Sequence, residues 1–239
     1  MDWDAFFTVH SDLPREGPGE PADVYWALKA AEVSGAISVL DAGAGPGADT
    51  VTLAQALPDA QITSVEKHPG FVAQARSRLE QFGSRVAVVE GDMAELEGRY
   101  DFIWCAGALY FLGVTEGLSL WRSALTKKGV VAFSEPVLLN GSLTGSAKEF
   151  WNEYPAITDE TGIIQRINSA GYRVIDKRVI VGEPWRAYYD PLKERIAALR
   201  DTDPSPNLVR ALDENAREIA LWEAAPEQIA YMLFVVRPA

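Results

Sequence analysis

From residue 37 to residue 134 short apolar runs alternate with helical stretches, and this alternation restricts the chain to very few folds. Residues 37–41, 61–66, 86–90, 100–105 and 130–134 read as strands. Residues 48–57, stopped by Pro58, residues 69–82, stopped by Gly83, and residues 114–125 read as helices. Lys127-Lys128-Gly129 reads as a turn ahead of the fifth strand. Strands alternating with helices predict an α/β fold, a doubly wound and mostly parallel sheet with helices on both faces. The runs are short and largely apolar, as parallel strands buried on both faces are.

The flanks read differently. Residues 3–10 suit a short amphipathic helix with Trp3, Phe6, Phe7 and His10 on one side. Prolines and glycines make residues 11–21 a loop, and Pro21 then starts a helix that ends near Gly35. Residues 147–154 and 162–170 look helical, 172–181 a strand, 184–200 and 207–224 helices, and 230–236 a final strand. A chain of 239 residues predicts one domain over 1–239, with 1–36 as an N-terminal cap segment.

Composition removes several function classes. With 22 Lys and Arg against 34 Asp and Glu the net charge is -12. That field repels nucleic acid and anionic membranes, and no run of basic residues offsets it. No segment is apolar enough to span a bilayer, and the first residues lack a basic leader, so a cytoplasmic protein is expected. A single cysteine, Cys105, permits no intrachain disulfide, and two histidines, His10 and His68, are too few for a metal centre.

The chemistry concentrates in Val39-Leu40-Asp41-Ala42-Gly43-Ala44-Gly45-Pro46-Gly47-Ala48, a strand running into a glycine turn and then a helix. Glycines stand where a backbone must bend sharply and let a ligand approach. Parallel sheets bind ligands at the carboxyl ends of their strands. Asp41, at the tip of the first strand, opposes a pyrophosphate and suits an ammonium group. Glu66 ends the second strand, where a carboxylate accepts from both hydroxyls of a ribose. Gly91-Asp92 follows the third, where a carboxylate can accept from an adenine amine, with Met93 offering a soft apolar surface to the ring. Amine, ribose and adenine are the parts of S-adenosylmethionine.

On these residues the sequence resembles class I S-adenosylmethionine-dependent methyltransferases, over roughly residues 39–136. The resembling elements are Asp41-Ala-Gly43-Ala44-Gly45-Pro-Gly47, Glu66, Gly91-Asp92-Met93 and the fourth-strand run from Tyr100 to Ala106. The resemblance implies a seven-stranded sheet whose last strand, 230–236, is antiparallel, and it marks 182–227 as a helical insertion before that strand. It implies S-adenosyl-L-methionine as cofactor, held by Asp41, Gly43, Ala44, Gly45, Gly47, Glu66, Lys67, Gly91, Asp92, Met93, Cys105 and Ala106. Arg15 has two readings, a partner for the methionine carboxylate or a solvated arginine. The chain departs from amino-methylating relatives, since Cys105-Ala106-Gly107-Ala108 replaces the Asn/Asp-Pro-Pro-Tyr/Phe motif after strand four. It also lacks the carboxylate that magnesium-dependent relatives carry there, so no metal is expected.

Methyl transfer in line needs alignment and desolvation more than any one catalytic group, and none is assigned. His10 reads as a satisfied histidine on an amphipathic face ahead of a general base, and Glu135 is as readily a strand-end carboxylate with no role as a proton acceptor. A small-molecule acceptor is expected, with Tyr110, Tyr154, Trp185, Tyr188 and Tyr189 as its lining; the aromatic set, Trp151 included, equally suits core packing. Two alternatives stand beside this reading. One is a nicotinamide-dependent oxidoreductase built on Gly43, Gly45 and Ala48, although no Tyr-x-x-x-Lys pair is present. The other is a noncatalytic module that binds S-adenosylmethionine.

Overall fold

The computed structural model describes residues 2–139, 143 and 145–239. The N-terminal segment forms α1 (Trp3–His10) and α2 (Pro21–Ala31). The alternating core follows as β1 (Ser38–Ala42), α3 (Ala48–Ala56), β2 (Gln61–Glu66), α4 (Pro69–Leu79), β3 (Val86–Glu90), β4 (Tyr100–Cys105), α5 (Val114–Trp121) and β5 (Leu125–Leu138). The last third is α6 (Gly145–Phe150), the two-residue β6 (Thr158–Asp159), α7 (Glu160–Ser169), β7 (Tyr172–Ile180), α8 (Glu183–Arg200), α9 (Pro206–Ala224) and β8 (Ala230–Pro238).

The sheet order is β3-β2-β1-β4-β5-β8-β7, with β6 beside β5. β1 to β5 pair in parallel, and β8 is antiparallel to both of its neighbours. β7 therefore runs in the direction of the first five strands. The expected seven-stranded sheet is present, and the short β6 is an addition to it. Side chains alternate across the sheet. Along β5, Val130 and Ala132 join the core under α2, α3, α8 and α9, while Val131, Phe133 and Val137 join the core under α5 and α7.

Two local expectations need correction. Lys127-Lys128-Gly129 is no turn, because it lies inside β5. Tyr100 pairs with Leu125 but Phe102 pairs with Val130, so the extra residues bulge out of the ladder. Gly129 has the residue type this needs: a Cβ there would lie 2.9 Å from the Tyr100 carbonyl oxygen. The helices α4 and α5 also stop early, at Leu79 and Trp121, and continue as 3-10 turns over Glu80–Arg85 and Arg122–Ala124.

Ile180 pairs with Tyr231, and Ala230 with Val137 at the carboxyl end of β5. The residues between β7 and β8 thus leave and rejoin the sheet at the edge where β1 to β5 end. No helix among the described residues is long and apolar enough to cross a membrane.

Candidate active site

The loop after β1 is set by two backbone bonds. The N–H groups of Gly43 and Ala44 both donate to the Val65 carbonyl, at 2.9 and 3.0 Å. Gly43, Gly45 and Gly47 all have positive φ, a region that costs L side chains energy. Space adds a second demand at Gly43, where a Cβ would lie 2.7 Å from the Cβ of Ala108. Gly47 caps α3 and sits against Ala75 and Leu79 of α4.

Asp41 is buried at the root of this loop and accepts from the Thr50 hydroxyl at 2.5 Å. Burial raises its pKa to about 8; Asp49 adds to the rise, and the Thr50 bond opposes it. Glu66 turns its carboxylate back to the loop. Its Oε2 accepts from the Gly45 N–H at 2.9 Å and its Oε1 from the His68 N–H at 2.7 Å. Each carboxylate oxygen has two acceptor sites, so one per oxygen remains for a further donor. Asp92 accepts from the Ala94 N–H at 2.9 Å and from Lys67 Nζ at 2.8 Å, and these bonds hold its carboxyl below the usual range. Lys67 is exposed at the rim. Met93 lies behind Gly43, its sulfur 3.5 Å from where a Cβ would stand.

The N-terminal segment covers this edge. Arg15 is largely buried, with Nε donating to the Gly17 carbonyl at 2.5 Å and Nη2 lying 3.4 Å from Asp49. Glu16 stands over Gly45. Its carboxylate meets His10 Nδ1 at 2.7 Å, and His10 Nε2 lies 3.0 Å from Asn215 Oδ1 on α9. Asn215 Nδ2 donates to the Ala211 carbonyl, which turns Oδ1 toward the ring. Further bonds join the segment to α8, from the Gly19 N–H to the Pro184 carbonyl and from Arg195 to the Thr8 carbonyl. The cap segment and the helices α8 and α9 are therefore one roof.

Beneath that roof lies one continuous cleft of about 1180 Å³. Asp41, Gly43, Ala44, Gly45, Glu66, Lys67, Gly91, Asp92, Met93, Ala106 and Arg15 line one end of it. Tyr110, Tyr154, Trp185, Tyr188 and Tyr189 line the other, with Trp151, Tyr231, Asn215 and Glu218. Tyr189 is fully buried and its hydroxyl donates to Glu218 at 2.8 Å. Surrounding protein raises the Glu218 carboxyl, and this hydrogen bond opposes the rise. Tyr188 is half-buried, and desolvation holds its hydroxyl well above the ordinary tyrosine value.

Residues 39–129 match the family model for a methyltransferase domain. These residues form a methyltransferase domain. Its fold is similar to a methyltransferase from Geobacter sulfurreducens solved with S-adenosyl-L-homocysteine, with TM-score 0.86 and 19% identity over 99% of this chain and 98% of that one. It is 44% identical over 70 residues to the release factor glutamine methyltransferase of Geobacter sulfurreducens, 28% of this chain and 25% of the relative. It is 30% identical over 99 residues to the malonyl-[acyl-carrier protein] O-methyltransferase of Acetivibrio thermocellus, 41% of this chain and 35% of the relative. The matches thus span a quarter to about a third of the length of these curated relatives.

Most of the expected site residues reach the cleft, but Cys105 and Gly47 are placed differently. Cys105 does not line it. Its side chain lies in the core on the far face of the sheet, where burial raises the thiol. Gly47 shapes the loop from behind, against α4. His68 lines the cleft and stacks there on Phe7 of α1. Glu16, Asn215, Glu218 and Tyr231 line the cleft without a role read from the sequence. A signal did exist for two of them: Asn215 and Glu218 are polar residues three apart between the buried Leu212 and Ile219 of α9.

Proposed function

We propose that this protein transfers a methyl group from S-adenosylmethionine to a small molecule held in the aromatic half of the cleft. The observation that carries the reading is the cleft itself. Single-ligand pockets hold about 300–1,000 Å³, and this one, at about 1180 Å³, joins a glycine-loop end to an aromatic end under one roof.

The donor set fits the cofactor. Glu66 keeps one acceptor site on each oxygen for the ribose hydroxyls. Asp41 is a buried carboxyl that an ammonium group would return to its ionised form. Asp92 and Met93 stand where the adenine would lie, and Gly43 leaves a gap that a Cβ would fill. Arg15, pinned at the mouth of the loop, is placed for the methionine carboxylate. The bound cofactor supplies an electrophilic methyl group on a sulfonium. The chain holds the acceptor in line with that methyl and keeps water out, and the roof of α1, the loop after it, α8 and α9 does both.

The roof also bears on acceptor size. One relative is named for a glutamine of a release factor and another for a malonyl group on a carrier protein. Here helices cover the aromatic end, which favours a free small molecule over a protein surface. The net charge of -12 argues against nucleic acid. Calorimetry with S-adenosylhomocysteine and with NAD tests the cofactor assignment; NAD binding without S-adenosylhomocysteine binding would overturn it. Transfer of a labelled methyl group to a metabolite extract then tests the acceptor class. Label found only on protein would refute a small-molecule acceptor, and no label at all would leave a noncatalytic binding module.

A further inference from the structure

Glu135 is the one carboxyl group on its face of β5, where it alternates with Val131, Phe133 and Val137. It is fully buried. A carboxylate there loses its hydration and needs compensating partners. It has two, both on the same oxygen: the Tyr154 hydroxyl donates to Oε1 at 2.7 Å, and Nη1 of Arg166 on α7 lies 3.8 Å away. Among the described residues Oε2 has no hydrogen-bond partner. Tyr154 itself lines the aromatic end of the cleft, its ring 5.6 Å from that of Tyr110. One side chain thus joins the acceptor space to a carboxyl group that solvent does not reach.

We propose that Tyr154 and Glu135 form a proton relay for the acceptor, which carries its nucleophile as a protonated oxygen or nitrogen. The proposal rests on the methyl-transfer reading above. As the nucleophile attacks, its bond to the methyl carbon forms and the sulfur–carbon bond breaks, leaving that electron pair on sulfur. The nucleophile's proton passes to the Tyr154 oxygen while the Tyr154 proton passes to Glu135 Oε1. The positive charge on sulfur and the negative charge on Glu135 disappear together, so no net charge is created in a water-poor site. Tyr154 is the catalytic residue in this scheme and Glu135 its positioning residue.

The electrostatics agree with the geometry. Burial raises the Glu135 carboxyl to about 7, opposed by the Tyr154 hydrogen bond and by Arg166. It is therefore largely ionised just above neutrality yet still a competent proton acceptor. Burial and Glu135 both push the Tyr154 hydroxyl upward, so it relays a proton and does not hold the charge. The other titratable groups facing Glu135 are Tyr110, Tyr231 on β8 and Cys105 on β4. Burial raises all three, so each stays neutral at the relevant pH, and Arg166 is the cation of the set.

The test compares wild type with Glu135→Gln and Tyr154→Phe. Calorimetry with S-adenosylhomocysteine comes first. Failure to bind in the wild type refutes the function proposed above, whereas loss confined to the two variants gives the pair a structural role and overturns the relay. Infrared titration of the S-adenosylhomocysteine complex then follows the carboxylic-acid band that Glu135→Gln removes. Its midpoint should lie near pH 7 and rise in Tyr154→Phe, which loses a hydrogen bond to the ionised form. Methylation of phenol, benzylamine and benzoate supplies the kinetic arm. Both variants should slow phenol and benzylamine about 10²-fold or more, and benzoate, with no proton to lose, by a far smaller factor. A band titrating below pH 5, a midpoint unmoved in Tyr154→Phe, or equal slowing of benzoate overturns the relay. The infrared arm decides even where none of the three probes is methylated.

Discussion

Glu66 and Gly45 are joined by a hydrogen bond of 2.9 Å from the Gly45 N–H to Glu66 Oε2. The residue expected to face a ribose also fixes the loop on which the cofactor would rest. Glu66→Ala therefore removes two functions at once. A hydrogen bond to a charged acceptor contributes about 1.5–3 kcal/mol. S-adenosylhomocysteine affinity measured by calorimetry should fall by more than about tenfold, with a lower melting temperature as the Gly45 and His68 N–H groups lose their acceptor. Glu66→Gln keeps one acceptor oxygen and should lie between the two. Unchanged affinity in Glu66→Ala would remove Glu66 from the binding site.

Asp41 should make cofactor binding pH-dependent. Its folded pKa, about 8, lies above the ordinary value of 3.8. The folded state thus binds a proton that the unfolded state has released, and its contribution to stability falls as pH rises from about 4 to about 8. Asp41→Asn should make the free protein relatively more stable above pH 8 and little different at pH 4, as thermal melts across that range would show. A ligand ammonium favours the carboxylate, so S-adenosylhomocysteine binding at pH 6–7 should release close to one proton. Calorimetry in buffers of different ionisation enthalpy measures it, and equal release from Asp41→Asn would assign the proton elsewhere.

The contact of His10 with Glu16 and Asn215 holds the roof shut over Gly45. His10→Ala should speed S-adenosylhomocysteine dissociation in stopped-flow while leaving the sheet folded. Deleting residues 1–19 should do so more strongly, because Arg15 and Glu16 leave with the latch. A truncated protein with full affinity would show that the roof does not act on the cofactor.

Tyr188 and Tyr189 stand next to each other but should behave differently. Tyr189 is fully buried against Trp185 and Trp222, and truncating such a ring costs about 3–5 kcal/mol. Tyr189→Ala should therefore lower the melting temperature by many degrees and reduce activity through lost fold. Tyr188 is half-buried at the cleft wall. Tyr188→Ala should impair methyl transfer with a small change in melting temperature and in S-adenosylhomocysteine affinity. Equal destabilisation of both variants would make Tyr188 a packing residue.

The strands and the glycine loop were legible because their causes are local. A run such as Val86 to Val89 is apolar whatever its neighbours are, and three glycines among five residues state where a backbone must turn. The sheet edge followed from strand direction, which brings Asp41, Glu66 and Asp92 to one side. Lys127-Lys128-Gly129 misled because its sequence is that of a turn, while its structure is set by pairing with Tyr100, more than twenty residues earlier. Cys105 misled in a related way. It sits one residue before Ala106, which lines the cleft, and strand alternation sends its side chain to the opposite face.

The order of apolar and polar residues was enough to specify an alternating sheet, its glycine loop and three acids at its carboxyl edge, since each depends on residues close in the chain. Tertiary structure alone decided what closes that edge. His10 meets Asn215 across 205 residues, and Tyr154 meets Glu135 across a segment whose sequence does not predict its path. The first contact depends on where α9 docks, the second on how the residues after α6 return to β5, and both on which groups lose water there. Docking and desolvation are properties of the assembled surface, so no periodicity along the chain records them.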